Sequence, residues 1–341
     1  MSSNHETTPS PDIYGPGTFV DKQFRAVPDD ARRVFELLAK STPGFTKDTR
    51  AWDSVKFDGH AEPMIPGPIK APVVAAALHA MCGVVGNELL ELRDGPKERG
   101  VSINTDQAAL WLGSVVTVIV KGFDPSGLVK TGGDGSSLFP RDFEKGVFNT
   151  PLRLRTTAIY PTKTPGVWYQ LHGSLNADPV LRAIGVDPAT ECTADDAYRL
   201  IRDHVVNFTA DELEMMMTRN GLCGSICYTP AGWSETLMGK RLESHPLVNY
   251  TRQSHVVPTP PVPMPVLADK RPLAGIKVIE LVRIIAGPVI GTILAALGAD
   301  VIRVNSSKLP DINVSNFLIA PLLTICANTL TRVLYAIGIA T

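Results

Sequence analysis

The sequence has little of what marks secreted, polyanion-binding or exported proteins. Only five of its 341 residues are cysteine. Cys82, Cys192, Cys223, Cys227 and Cys326 form an odd, scattered set, unlike the dense frameworks that staple small secreted domains. A reducing compartment is therefore expected, and the cytoplasm fits it. An excess of either charge is lacking too: 33 Lys+Arg against 34 Asp+Glu leave a formal net charge of -1. That removes the broad positive footprint on which nucleic-acid binding relies. The opening MSSNHETTPSPDIYGPG carries Glu6 and Asp12 and has no apolar run, so it reads neither as a signal peptide nor as an Arg-rich transit peptide. Residues 1–19 are expected to be a loose tail.

What is present is apolar material in quantity, 44% of the chain, enough for a sizeable core and, at this length, for more than one domain. The clearest boundary is VPTPPVPMPVLADK, residues 257–270, where five prolines remove backbone donors and favour an extended spacer. Before it, within 20–256, helical patterns dominate. Asp29–Lys40 opens with acids and repeats apolar residues at helical spacing, and Val73–Arg93 is a long apolar helix stopped near Gly95. Leu152–Tyr160 and Val167–His172 read as a hairpin joined at Thr162-Lys163-Thr164-Pro165-Gly166. Thr193-x-x-Asp196 and Thr209-x-x-Glu212 each begin a helix with a hydroxyl that can cap an exposed N–H. The adjacent Met215, Met216 and Met217 point in different directions around the second of these, as adaptable packing residues.

After the linker the pattern changes to a β-branched run (Ile276–Val282), a turn, a small-residue helix (Pro288–Leu297) and a second β run (Asp300–Val304). This is a βαβ unit. Pro288 suits the first helical turn, Gly298 suits the residue past the last, and the apolar first strand predicts a parallel sheet buried on both faces. A helix starting beside Gly287 can offer N–H groups to a phosphate, although RIIAGP is neither G-x-G-x-x-G nor G-x-x-x-x-G-K-[ST], and Gly287 reads first as the residue that lets the helix approach the strand.

The wording PLAGIKVIELVRIIAGPVIGTILAALGADVIRV resembles the opening of the family III CoA-transferases, the CaiB/BaiF family, in the formyl-CoA transferase and α-methylacyl-CoA racemase superfamily. Ala71–Gly113, Ala158–Gly185 and Phe208–Val248 resemble the later half of the same family, including a small domain near 150–250. The resemblance spans roughly 60–313, later half first. It implies an inverted-order tandem: a partial domain over 20–256 and the opening βαβ of a second copy over 271–313. The implied fold is α/β, a helix-rich mixed body followed by a Rossmann-like βαβ fragment. The implied reaction passes CoA between an acyl-CoA and a small carboxylic acid through an aspartyl-CoA thioester, with CoA as substrate and no permanently bound cofactor. The alternative is a catalytically inactive member that at most binds CoA or a partner subunit.

Two departures bear on that alternative. Ala71 stands where the family places its nucleophilic aspartate, and a methyl group cannot accept an acyl group; Asp53 and Asp58, upstream, lack the expected neighbours. After Val304 the chain reads Asn305-Ser306-Ser307, where the family has an acid and often a cation or proline. By the resemblance, CoA lies over the Arg283–Pro288 turn and contacts Ile284, Ala286 and Ser306, with Arg303 and Lys308 as the cations near its phosphates. Family members thread two chains as interlocked homodimers, an assembly doubtful for half-copies, so an aggregation-prone product is expected.

The remaining motifs point elsewhere. Gly132–Ser137 reads as a flexible loop. Cys223-x-x-x-Cys227 lacks a second pair, so no metal is expected. His60, His79, His172, His204, His245 and His255 join no local Ser or Cys in a catalytic pattern. From Val314 to Thr341 the chain is apolar and nearly uncharged, and Pro321, Asn328 and Arg332 interrupt it. A membrane anchor is disfavoured there. A translated intron is the other reading, since Val314-Ser315 can be encoded by an in-frame splice-donor pattern.

Overall fold

The computed structural model describes residues 24–64, 70–112, 150–249, 267–283 and 285–304. These fall into two compact units, one holding 150–245 and the other the remaining described segments. The loop at 132–137, most of the linker, and 305–341 lie outside the described residues, as do the initial tail, Ile284, Ser306 and Lys308.

The unit formed by 150–245 is built on a three-stranded antiparallel sheet in the order β3–β4–β5, from Ala158–Pro161, Trp168–His172 and Cys223–Ile226. The expected hairpin is there, with Tyr160 opposite Tyr169, but its first arm is shorter. Pro151–Arg155 is a helix, α5, instead of strand. Leu152 and Leu154 alternate as a strand would, yet Thr150 accepts from the Arg153 N–H and Pro151 occupies the first turn, a start signal that overrides the short alternation. The core gathers Leu152, Tyr160, Tyr169, Leu171, Leu181, Ile201, Leu213 and Met217. They come from the sheet and from α5, α6 (Asp178–Ala183), α7 (Ala194–Val205) and α8 (Ala210–Arg219). Thr209 and Glu212 form the full reciprocal cap of α8, and Thr193 accepts from the Asp196 N–H at α7. Of the three methionines Met217 is buried, Met216 packs at the core margin and Met215 is half exposed. Two short helices follow, α9 (Pro230–Glu235) and α10 (Leu237–Glu243).

The other unit contains two parallel βαβ arrangements. The first is β1 (Val55–Asp58), α3 (Ala71–Asp94) and β2 (Val101–Asn104), paired Val55 to Val101 through Asp58 to Asn104. It packs on α1 (Val27–Ser41) and α4 (Thr105–Leu112), with α2 (Thr49–Asp53) leading into β1. α3 is the one described helix long and apolar enough to cross a membrane. It turns a face of Ala75, Ala76, Ala77, Ala80 and Val84 into the core formed with Phe35, Trp52, Val55 and Ala108.

The second is the βαβ expected after the linker: β6 (Lys277–Glu280), α11 (Ala286–Ala296) and β7 (Asp300–Arg303), paired Lys277 to Asp300 through Glu280 to Arg303. Gly298 has φ +107, a conformation L side chains resist, and a Cβ there would collide with Arg271 and Ala274. Burial on both faces does not occur. Ile279 and Ile302, directly opposite each other in the ladder, are 71% and 59% exposed, and Leu281 is 74% exposed. α11 covers one face, and among the described residues nothing covers the other.

This second ladder is tied to the end of α3. The Arg93 guanidinium donates to the carbonyls of Arg271 (2.7 Å), Pro272 (3.1 Å) and Ala274 (2.9 Å), and Gly86 lets Pro272 approach the same helix. Arg271 in turn donates to the Ala295 and Ala296 carbonyls at the end of α11 and is held by Asp269. Two guanidiniums thus add charge-assisted bonds to these carbonyls, of which those of Arg271 and Ala295 also accept from the Ala274 and Gly298 N–H groups.

Candidate functional site

Ligands of parallel α/β folds gather where strands end and the next helix begins, because the first helical N–H groups are unpaired and the helix dipole is positive there. At the second ladder this place is 281–288. α11 starts after Ile285 with no side-chain cap, and its N–H at Val289 bonds the Ile285 carbonyl at 3.0 Å. Ala286 and Gly287 therefore present the free N–H groups of the first turn; Pro288 has none. A Cβ at Gly287 would overlap the Val282 side chain, so glycine is required for packing. Of the residues expected to touch the ligand, Ala286 sits on this turn, while Ile284 and Ser306 are outside the described residues.

Arg303 is not a solvated cation. Its side chain is 9% exposed and its Nη1 lies 3.9 Å from Glu280 Oε1, on a carboxylate equally buried. Glu280 lies beneath Gly291, where a Cβ would collide with the carboxylate. The pair joins the ends of β6 and β7 under α11 and commits the guanidinium to the protein. The sequence signal for this was the ladder register: Glu280 and Arg303 are both the last residue of their strands.

At the first ladder, Ala71 is the first residue of α3, half-buried, with Lys70 before it. The preceding Lys70 bonds a carboxylate that sequence reasoning passed over, Asp30. Lys70 Nζ reaches Asp30 Oδ2 at 3.5 Å, Arg33 reaches Oδ1 at 2.8 Å and Arg25 at 3.4 Å. Burial acts to raise the Asp30 pKa, but the Arg33 hydrogen bond and charge and the Lys70 charge outweigh it and hold the carboxyl below its ordinary value. So committed, it is a poor nucleophile. Asp53, on the last turn of α2, is exposed, and Asp58 accepts from Asn104 Nδ2 at 3.0 Å at the end of β1.

Beyond Asp58 the chain turns at Gly59, and His60 meets Asp106: Nδ1 to Oδ2 is 2.7 Å, and the His60 backbone N–H donates to the same oxygen at 3.1 Å. These residues stand 46 apart in sequence, so no local motif could reveal them. A cavity of about 520 Å³ opens beside the same strand, lined by Asp29, Arg32, Lys56, Phe57, Asp58 and Ser102. Arg32 spans its wall, donating to the Trp52 and Val55 carbonyls and lying 5.3 Å over the Phe57 ring. Cys223 is exposed and Cys227 half-buried, and among the described residues no three His, Cys, Asp or Glu side chains cluster as metal ligands.

Comparison with known proteins bears on both ladders. Residues 273–312 match the model of CoA-transferase family III. The chain is 44% identical over 308 residues to an acyl-CoA transferase of Gibberella moniliformis, covering 89% of this chain and 53% of that protein. It is 31% identical over 273 residues to the acetyl-coenzyme A transferase nodX of Hypoxylon pulicicidum, covering 76% and 45%. A succinate–glutarate CoA-transferase of Agrobacterium fabrum is 60% identical over 39 residues, 11% of this chain and 10% of its own. The chain thus spans about half the length of the first two relatives. Because the 308-residue match is longer than the 256 residues preceding the linker, it runs across the linker in one order.

Proposed function

The chain is related to CoA-transferase family III, and from that premise we propose that it takes part in the transfer of CoA between an acyl-CoA and a small carboxylic acid. The observation that carries this reading is the uncapped start of α11 at Ala286 and Gly287, inside the matched segment 273–312. Its N–H groups and dipole suit the phosphates of CoA. Backbone donors would position the ligand there, since Arg303 is engaged with Glu280. The βαβ unit is read as the opening of a Rossmann-like second copy, and 20–256 as the later half of a first. The unbroken run of the 44% match across the linker supports this order as a feature shared with that relative.

A second reading is favoured by a specific residue. Ala71 offers a methyl group on the first turn of α3, so the part before the linker binds or positions without forming the covalent thioester. Mixing the full chain with acetyl-CoA and succinate, then assaying succinyl-CoA by mass spectrometry and trapping acylated carboxylates with hydroxylamine, separates the two. A modified Asp or Glu with product formation supports transfer by this chain. CoA binding by calorimetry without either supports the second reading, and no binding of CoA at all would refute both. The four described cysteines are free, which supports placement in the cytoplasm.

A further inference from the structure

We infer that His60 and Asp106 form a general-base pair that hydrolyses acyl-CoA thioesters, an activity resting on the reading of the chain as an acyl-CoA-binding protein. A carboxylate only accepts hydrogen bonds, so the 2.7 Å contact places a ring proton on Nδ1 and leaves Nε2, on the far side of the ring, outside the pair. The two partners are unequally placed: the Asp106 side chain is 13% exposed and that of His60 82%. A buried carboxylate that fixes the tautomer and orientation of an accessible imidazole is the arrangement by which enzymes turn histidine into a base.

The loop is shaped around the pair. Gly59 adopts φ +133, and a Cβ there would overlap the Thr105 hydroxyl and lie 3.4 Å from Asp106 Oδ2, so only glycine lets the chain pass. Thr105 is wholly buried, and its Oγ1, facing the Gly59 backbone, has no hydrogen-bond partner. An unpaired buried hydroxyl is costly, and it lies beside the pair at the carboxyl ends of β1 and β2, where parallel sheets take ligands. β2 begins beside the middle of α3, where Gly83 approaches Val101, and β6 follows the stretch 271–274 that Arg93 binds from the last turn. Ala71, at the opposite end of α3, supplies no competing nucleophile.

In the step itself, Nε2 takes a proton from water while the water oxygen bonds to the thioester carbonyl carbon. The C–S bond then breaks, and the departing thiolate takes the proton from the imidazolium. The products are a carboxylic acid and free CoA.

The test is thiol release from acetyl-CoA by the full chain, followed with a chromogenic disulfide, alongside equilibrium dialysis of CoA. Hydrolysis above the buffer rate is expected, and His60→Ala should lower kcat about a hundredfold while leaving KM, CoA binding and the thermal midpoint unchanged, because the ring is exposed. Asp106→Asn should lower kcat as well and remove the strongly deshielded Nδ1 proton from the NMR spectrum of the folded protein. CoA binding without hydrolysis, or hydrolysis indifferent to His60→Ala, overturns this inference and leaves the family reading standing. Absence of CoA binding overturns both.

Discussion

Truncating Arg93 should release the second ladder from the rest of its unit. The side chain makes three charge-assisted bonds to the carbonyls of Arg271, Pro272 and Ala274. Hydrogen bonds to a charged group contribute roughly 1.5–3 kcal/mol each, but freed carbonyls near the surface regain water, so Arg93→Ala should cost about 3 kcal/mol in total. The loss should be local, since the Phe35, Ala77 and Ala80 core does not involve this contact. At about 1.4 kcal/mol per tenfold change, amide exchange across 277–303 should speed up roughly a hundredfold by local opening, with core amides of α1 and α3 unchanged. Arg93→Lys should recover only part of the loss, because the three carbonyls are reached from two separate guanidinium nitrogens, a spread that the single nitrogen of a shorter lysine does not reproduce. Mass-spectrometric exchange on the full chain reads both regions at once. Unchanged protection over 277–303, or equal loss everywhere, would refute the argument that this residue is the fastening.

Other substitutions test the remaining contacts. Gly291→Ala should lower the thermal midpoint by several degrees, about 2 kcal/mol, because the methyl group is driven into the Glu280 carboxylate; an unchanged midpoint would mean that carboxylate is free to move. Thr209→Ala removes the α8 cap and should cost about 1 kcal/mol in urea unfolding, whereas Thr209→Ser should recover most of it. Asp30 has a folded pKa below its unfolded one, so its ion pairs contribute fully above about pH 4 and are lost as pH falls through the lower folded value. Asp30→Asn should therefore be less stable at pH 7 and flatter in its acid unfolding profile, and an identical slope in both proteins would contradict the assignment.

The helices with end signals were legible from the residues themselves: α3 stops at Gly95, and α7 and α8 start from Thr193 and Thr209 as their spacing indicates. The βαβ after the linker was legible because β-branched runs flank a small-residue helix. The first βαβ was not. Its strands, VKFD and VSIN, are four residues each and lie 46 apart, so their alternation of Val55, Phe57, Val101 and Ile103 toward the helices is too brief to separate from loop. The same separation hid His60 from Asp106, and the commitment of Arg303 to Glu280 depends on strand register, which no single strand discloses.

The alanine face of α3 has a mechanical consequence. Side chains this small bring helix axes to the near end of the usual 8–10 Å spacing, about 8 Å, and leave few rotamers through which neighbours could yield. The 24 residues of α3 then behave as a stiff rod about 36 Å long. Its first turn carries Ala71 at the end of the first ladder, and its last turn carries Arg93, grasping the second. A tilt of about 3° over such a length moves one tip by roughly 2 Å relative to the other. A displacement at one ladder is thereby delivered to the other as leverage, without any chain of rearranging side chains between them.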